Sequence, residues 1–148
     1  MSSTAYLEHL ASIHLFNSCN QRELTKIARA TDEVSVAAGK TLMNQGERGR
    51  EAFVVVSGEA SIQINGNTVA TIGPGDHVGE LALLDGGTRT ATVVADTDME
   101  LLVISQRAFF ALLDEVPGLS RKILTSMATM VRDLNGRLGA FEPTSAHA

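Results

Sequence analysis

The chain has 148 residues and a mass of 15.7 kDa, the size of one ordinary domain, which excludes a receptor module joined to a full-sized catalytic domain. Hydrophobic residues make up 44% and charged residues 20%, no apolar run approaches a membrane span, and Met1 to Tyr6 lack a signal-peptide pattern, so a folded, cytoplasmic protein without a membrane partner is expected. A net charge of −5 with no Lys/Arg block argues against nucleic acid as a partner, five Phe and one Tyr offer no base-stacking platform, and the single Cys19 can make neither an internal disulfide nor a thiolate zinc site.

Leu7, Leu10 and Ile13 recur at helical spacing, and Asn20 followed by Glu23 reads as a capping box opening a second helix that buries Leu24, Ile27 and Ala28. From Val34 the texture changes to short β-prone runs: Thr41 to Met43, Ala52 to Ser57, Glu59 to Asn65, Asn67 to Ile72, Arg89 to Ala95 and Glu100 to Ser105. Ala60, Ile62 and Ile64 alternate with polar neighbours, and Asn65-Gly66 supplies the two positive-φ positions of a tight hairpin. Helical periodicity returns from Gln106 to Glu115, pauses at Pro117-Gly118 and resumes through Leu138. The expected class is α+β: an antiparallel, jelly-roll-like β-roll flanked by helices. Residues 1–138 are expected to form one domain and 139–148 a frayed tail.

The stretch from Gly73 to Val93 carries the chemistry. Glycine-containing backbone entering a short helical turn presents N–H groups, those of Leu81 and Ala82 in particular, to an anion. Arg89 adds a planar guanidinium that stays charged when desolvated. Glu80 would repel a phosphate but accepts a hydrogen bond from a sugar hydroxyl. Anion site and hydroxyl acceptor together point to a nucleotide. Two other readings exist for these residues: Arg89 as a structural ion pair with Asp85 or Glu80, and Thr90 as a β-branched strand residue without a functional role.

Val78-Gly79-Glu80-Leu81-Ala82-Leu83-Leu84 with Arg89-Thr90-Ala91-Thr92-Val93 resembles the phosphate-binding cassette of cyclic nucleotide-binding domains, as found in protein kinase A regulatory subunits, catabolite-activator-type factors and cyclic-nucleotide-gated channels. Gln45-Gly46-Glu47, Ser57-Gly58-Glu59 and Gly73-Pro74-Gly75-Asp76 extend the resemblance to roughly residues 5 to 138. It implies a receptor for cAMP or cGMP, without catalysis or a further cofactor. In that reading Arg89 pairs with the cyclic phosphate, Leu81 and Ala82 donate N–H groups to it, Glu80 takes the ribose 2′-hydroxyl and Gly79 permits close approach. Thr90 lies near the phosphate and purine edge, where Thr goes with cGMP acceptance in relatives, and Ala91 completes the cassette. Hinge and lid helices follow the roll, with the hinge around Phe109 and Phe110 and with Met130, Leu134, Asn135 and Leu138 as lid candidates. Val78 and Thr88 stand where many relatives carry an aromatic and a proline, which implies a looser rim.

Two alternatives follow. A degenerate domain of the same fold would serve as a protein–protein interaction subunit. His77 beside Pro74 and Gly75 also resembles the metal-binding turn of cupins, but His9, His14 and His147 lie outside the strands, so no metal site is expected. Leu124, Met127, Val131, Leu134, Leu138 and Phe141 alternate at spacings of 3 and 4, a seam that would join two copies through the helix at 118–138. With only a short tail remaining, a receptor would act through such a dimer, through a separate effector protein, or by sequestering the nucleotide.

Overall fold

The computed structural model describes the backbone of residues 3–141 and the side chains of residues 6–13 and 15–136. Helix α1 (Ser3–Ala11), a 3-10 turn (His14–Phe16) and α2 (Gln21–Arg29) precede eight strands. The strands are β1 (Asp32–Val36), β2 (Thr41–Met43), β3 (Glu51–Ser57), β4 (Ala60–Ile64), β5 (Asn67–Ile72), β6 (His77–Val78), β7 (Thr92–Ala95) and β8 (Met99–Ser105). Helix α3 (Ala82–Asp85) interrupts them between β6 and β7, and α4 (Gln106–Glu115) and α5 (Leu119–Phe141) complete the α+β chain. The strands form two antiparallel sheets ordered β1-β8-β3-β6 and β2-β7-β4-β5.

Two cores explain why β3 reads as an unbroken apolar run. Successive strand residues point to opposite faces. Ala52, Val54 and Val56 of β3, with Leu102 and Ile104 of β8, pack against Leu10, Ile27 and Phe109 of the helices. Phe53 and Val55, with Met99, Leu101 and Val103, turn the other way onto Ala60, Val93 and Ala95 inside the roll. Both faces of β3 are therefore covered, one by helices and one by the second sheet.

The capping box forms as expected: Glu23 N–H donates to Asn20 Oδ1 at 2.8 Å and Asn20 N–H donates to Glu23 Oε1 at 2.9 Å. Asn65 (φ 52°) and Gly66 (φ 82°) make the tight turn between β4 and β5, closing on the Ile64–Asn67 pair. The side chain of Gln45 braces this turn, accepting from Asn65 N–H at 2.9 Å and donating to Asn65 Oδ1 at 3.0 Å.

Several expectations need correction. Helix α1 stops at Ala11, so the buried Ile13 belongs to the link into the 3-10 turn, which also buries Leu15 and Phe16. Strands β1 and β6 were not expected: β1 is mostly exposed and polar, and β6 has only two residues. Strand β7 starts at Thr92 instead of Arg89, because Arg89 ties its backbone to a loop, its N–H to Glu47 O at 2.7 Å and its C=O to Gly46 N–H at 2.9 Å. Helix α5 runs to Phe141, past Leu138, while the rest of the expected tail, 142–148, lies outside the described residues. Among the described residues no helix is long and apolar enough to cross a membrane.

Helix α5 is fastened to the N-terminal segment by polar groups. The buried carboxylate of Glu23 accepts from Lys122 Nζ, and the buried Ser126 Oγ donates to Asn17 Oδ1 at 2.9 Å. Burial pushes the Glu23 carboxyl up, but the bonds from Lys122 and from Asn20 N–H, together with the Lys122 charge, outweigh it and hold the group below its ordinary value. A carboxyl depressed in the folded state adds stability above its unfolded value and loses it as pH falls through the folded one. Urea denaturation from neutral pH down through the carboxylate range is therefore expected to show a loss of stability beginning near about pH 5 that Glu23→Gln largely lacks. Parallel pH curves for the two proteins would refute that assignment.

Candidate ligand-binding site

A cavity of about 340 Å³ opens where β6, α3 and the segment entering β7 meet. Six of the seven cassette residues expected to contact a ligand line it: Gly79, Glu80, Leu81, Ala82, Arg89 and Thr90. Ala91 is buried and does not line it. Val78 and Thr88, expected at the rim, also line it, and Met43, His77, Asp85 and Gly87, which were not among those expectations, complete the wall. The lid candidates Met130, Leu134 and Asn135 lie on α5 and do not line the cavity, and Leu138 falls outside the described side chains.

Local sequence explains the shape. Gly79 adopts φ 80°, a region that residues with a Cβ avoid, and so turns the chain from β6 toward α3. Helix α3 spans only Ala82–Asp85 and ends on Gly86 in the left-handed conformation. Of the two N–H groups expected to face an anion, that of Ala82 instead donates to Gly79 O at 3.1 Å, so it would have to be re-aimed to reach a ligand. Leu81 stands half exposed at the entrance.

Arg89 is the electrostatic centre. Its side chain is only 8% exposed, and its Nη1 is buried without a hydrogen-bond partner. The guanidinium carbon lies 5.9 Å from the centroid of the Phe53 ring, within cation–π range. Two glycines make room for it. A Cβ on Gly49 would stand 2.5 Å from Arg89 Nε, and one on Gly79 would stand 2.5 Å from Nη1. Burial draws the Arg89 pKa down, and the nearby Glu51 carboxylate partly offsets this. Gly49, Glu51 and Phe53 thus surround the Arg89 side chain without lining the cavity, and sequence reading missed them because only the fold brings them to Arg89.

Glu80 is the complementary group. Its Oε1 lies 3.6 Å from His77 Nδ1, while Oε2 is buried without a partner. Leaving a buried polar atom unpaired costs roughly 1–3 kcal/mol, and more when it is charged. Arg89 and Glu80 thus line the same cavity, and each has one buried side-chain atom, Nη1 and Oε2, without a partner. That pair of unmet demands fits a ligand carrying both an anion and a hydroxyl. Among the described residues no group of three or more His, Cys, Asp or Glu is placed to hold a metal.

Known proteins share this fold. The family model of the cyclic nucleotide-binding domain matches residues 33–116, more than half of the chain. The Pycsar effector protein XpPycTIR of Xanthomonas perforans is 33% identical over 118 residues, covering 78% of this chain, which spans only 39% of that protein. The crystal structure of the N-terminal domain of a transcriptional regulator from Streptomyces coelicolor A3(2) superposes with a TM-score of 0.81 at 28% identity, covering 86% of this chain and 95% of that one. The regulatory domain of Toxoplasma gondii PKA, crystallised with cAMP, superposes with a TM-score of 0.67 at 32% identity, covering 74% of this chain and 43% of that one. The β-roll and the extent of the family match agree, and the chain belongs to the cyclic nucleotide-binding domain family.

Proposed function

We propose that this protein is a receptor for a cyclic nucleotide, cAMP foremost with cGMP as a second ligand, and that it works as a ligand-controlled conformational switch in the cytoplasm and not as a catalyst. The observation that carries this reading is the pairing of the unpartnered Arg89 Nη1 with the unpartnered Glu80 Oε2 at one cavity. The cyclic phosphate would take Arg89 together with the Leu81 and Ala82 N–H groups. The ribose 2′-hydroxyl would donate to Glu80 Oε2, and Gly79 would let the sugar approach the backbone. Relatives support the ligand class, in particular the PKA regulatory domain crystallised with cAMP.

Switching would follow from what the ligand demands of α4 and α5. Phe109 is fully buried against Phe16, with ring centroids 6.0 Å apart, while the adjacent Phe110 is 43% exposed, so any repositioning of α4 would have to carry the Phe109–Phe16 contact with it or break it. Closure of α5 over the base through Met130, Leu134, Asn135 or Leu138 would require release from Glu23 and Asn17. The ligand must bind that closed state more tightly than the open one for any shift to occur. Output would pass to an effector protein or to a second copy. Leu124, Val131 and Leu134, all more than half exposed on α5, would supply the dimer seam.

Calorimetric titration of the protein with cAMP and with cGMP tests the reading. Saturable heat and a raised melting temperature are expected. Silence from both nucleotides at millimolar concentration would favour the second reading, a domain of this fold that has become a protein-interaction subunit. In the same experiment Thr90→Ala is expected to weaken cGMP relative to cAMP, since the exposed Thr90 lines the cavity. An unchanged ratio would remove Thr90 from the selectivity assignment.

A further inference from the structure

The motif Gln45-Gly46-Glu47 has no part in the reading above. It lies in the segment 44–50 between β2 and β3, which carries no apolar side chain and of which only Gly49 is buried. With no hydrophobic contact of its own to bury, the course of this segment depends on its hydrogen bonds. Arg89 nevertheless rests on it. Arg89 N–H donates to Glu47 O at 2.7 Å, Gly46 N–H donates to Arg89 O at 2.9 Å, and Gly49 N–H donates to Gly87 O at 2.9 Å. The Arg89 side chain runs so close to Gly49 that a Cβ there would stand 2.5 Å from Nε. Residues 46–49 thus meet both the backbone and the side chain of Arg89. The segment is in turn tied down at Gln45. Its N–H donates to Thr92 Oγ1 at 2.9 Å, and its side-chain amide makes two bonds to Asn65 at the tip of the β4–β5 hairpin, accepting from the N–H at 2.9 Å and donating to Oδ1 at 3.0 Å.

We infer that Gln45 is a positioning residue for Arg89: by clamping the hairpin tip with its side-chain amide it fixes the segment on which Arg89 rests, and so sets the guanidinium in the cavity wall without itself touching a ligand. The inference rests on the cavity being the nucleotide site. Gln45 is exposed and does not line that cavity. Without the clamp, residues 46–49 have one anchor fewer, Arg89 is less well ordered before binding, and part of the binding energy is spent on ordering it. Asn65 is the other half of the clamp. It sits at φ 52°, which glycine adopts freely, so Asn65→Gly keeps the turn and removes only the Oδ1 acceptor.

The test is calorimetry with cAMP on the full chain and its variants, each shown by thermal melting to be folded at the temperature of the titration. Gln45→Ala is expected to bind roughly three- to tenfold more weakly, the scale of one or two net hydrogen bonds, and Asn65→Gly, which loses one, about two- to fourfold more weakly. A general loosening of the fold would not reproduce two further results. The double variant should bind as Gln45→Ala does, because both changes open the same clamp. In the ligand-free protein the Nε–H resonance of Arg89, identified by its absence from Arg89→Lys, should broaden or shift in both single variants. Parent-like affinity in Gln45→Ala, losses that multiply in the double variant, or an unmoved Nε–H resonance would each overturn the inference while leaving the receptor reading intact. If Gln45→Ala fails to fold, parent-like affinity and an unmoved resonance in Asn65→Gly are enough to overturn it. No heat from the parent with either nucleotide would remove the receptor reading and this inference with it.

Discussion

Arg89→Ala is expected to weaken cyclic-nucleotide binding by about 2–5 kcal/mol, as truncating one partner of a buried charge pair does, which is roughly 30-fold to several thousand-fold in Kd. The size of the effect follows from the surroundings of the guanidinium: it is 8% exposed, its Nη1 has no acceptor within the protein, and it lines the cavity. The unpartnered Nη1 offsets part of the packing that goes with the side chain, so Arg89→Ala should lose much less stability than affinity. Arg89→Lys keeps a charge but loses the planar fork, and should fall between the two in affinity. Calorimetry and thermal melts on the three proteins decide the matter. If Arg89→Ala binds cAMP as the parent does, the phosphate site lies elsewhere.

Gly79→Ala carries the second large effect, and here folding itself is at stake. At φ 80° an added Cβ would stand 2.9 Å from Glu51 O, a backbone atom of the central sheet, and 2.5 Å from Arg89 Nη1. The left-handed conformation costs a residue with a Cβ roughly 1–2 kcal/mol, and overpacking adds about 1–3 kcal/mol. The expected destabilisation is therefore about 2–5 kcal/mol, or roughly 5–15 °C in Tm for a domain of this size. Gly49→Ala is the contrasting case. Its φ is not positive, and its Cβ would meet only the Arg89 side chain, at Nε 2.5 Å and Cζ 2.6 Å. Arg89 can give way there by leaving its seat, so Gly49→Ala should lose affinity more than stability. Urea denaturation paired with cAMP titration separates the two glycines. A Gly79→Ala protein as stable as the parent would show that the turn into α3 is not held as described.

Much of this molecule was legible before its coordinates. Asn20 and Glu23, Asn65 and Gly66, and the run from Gln106 to Glu115 announce themselves because caps, tight turns and amphipathic helices are local and depend on residue types a few positions apart. The cassette was legible for a different reason, a resemblance spread over several motifs, and it brought Gly79, Glu80 and Arg89 together at the cavity. What escaped depends on distant partners. Strand β1 is mostly exposed and polar, and it is a strand because Asp32 to Val36 pair with Met99 to Val103, far along the chain but next to it in the sheet. Gly49 bears on the site because Arg89, forty residues later, comes to rest against it. The seat of α5 could not be read from its own periodicity either. Ile123 packs inward and Leu124 is 70% exposed, a choice made by the 3-10 turn and α2 and not by the helix.

The bonds from Lys122 to Glu23 and from Ser126 to Asn17 join positions 99 and 109 residues apart. During synthesis this means that the first helices emerge from the ribosome long before the groups that complete them. A carboxylate at Glu23 cannot be buried at tolerable cost until its ammonium partner exists, and one edge of β3 stays unpaired until β8 has been made. The domain should therefore acquire its structure late and nearly all at once, with the N-terminal helices waiting in solvent until α5 has been translated.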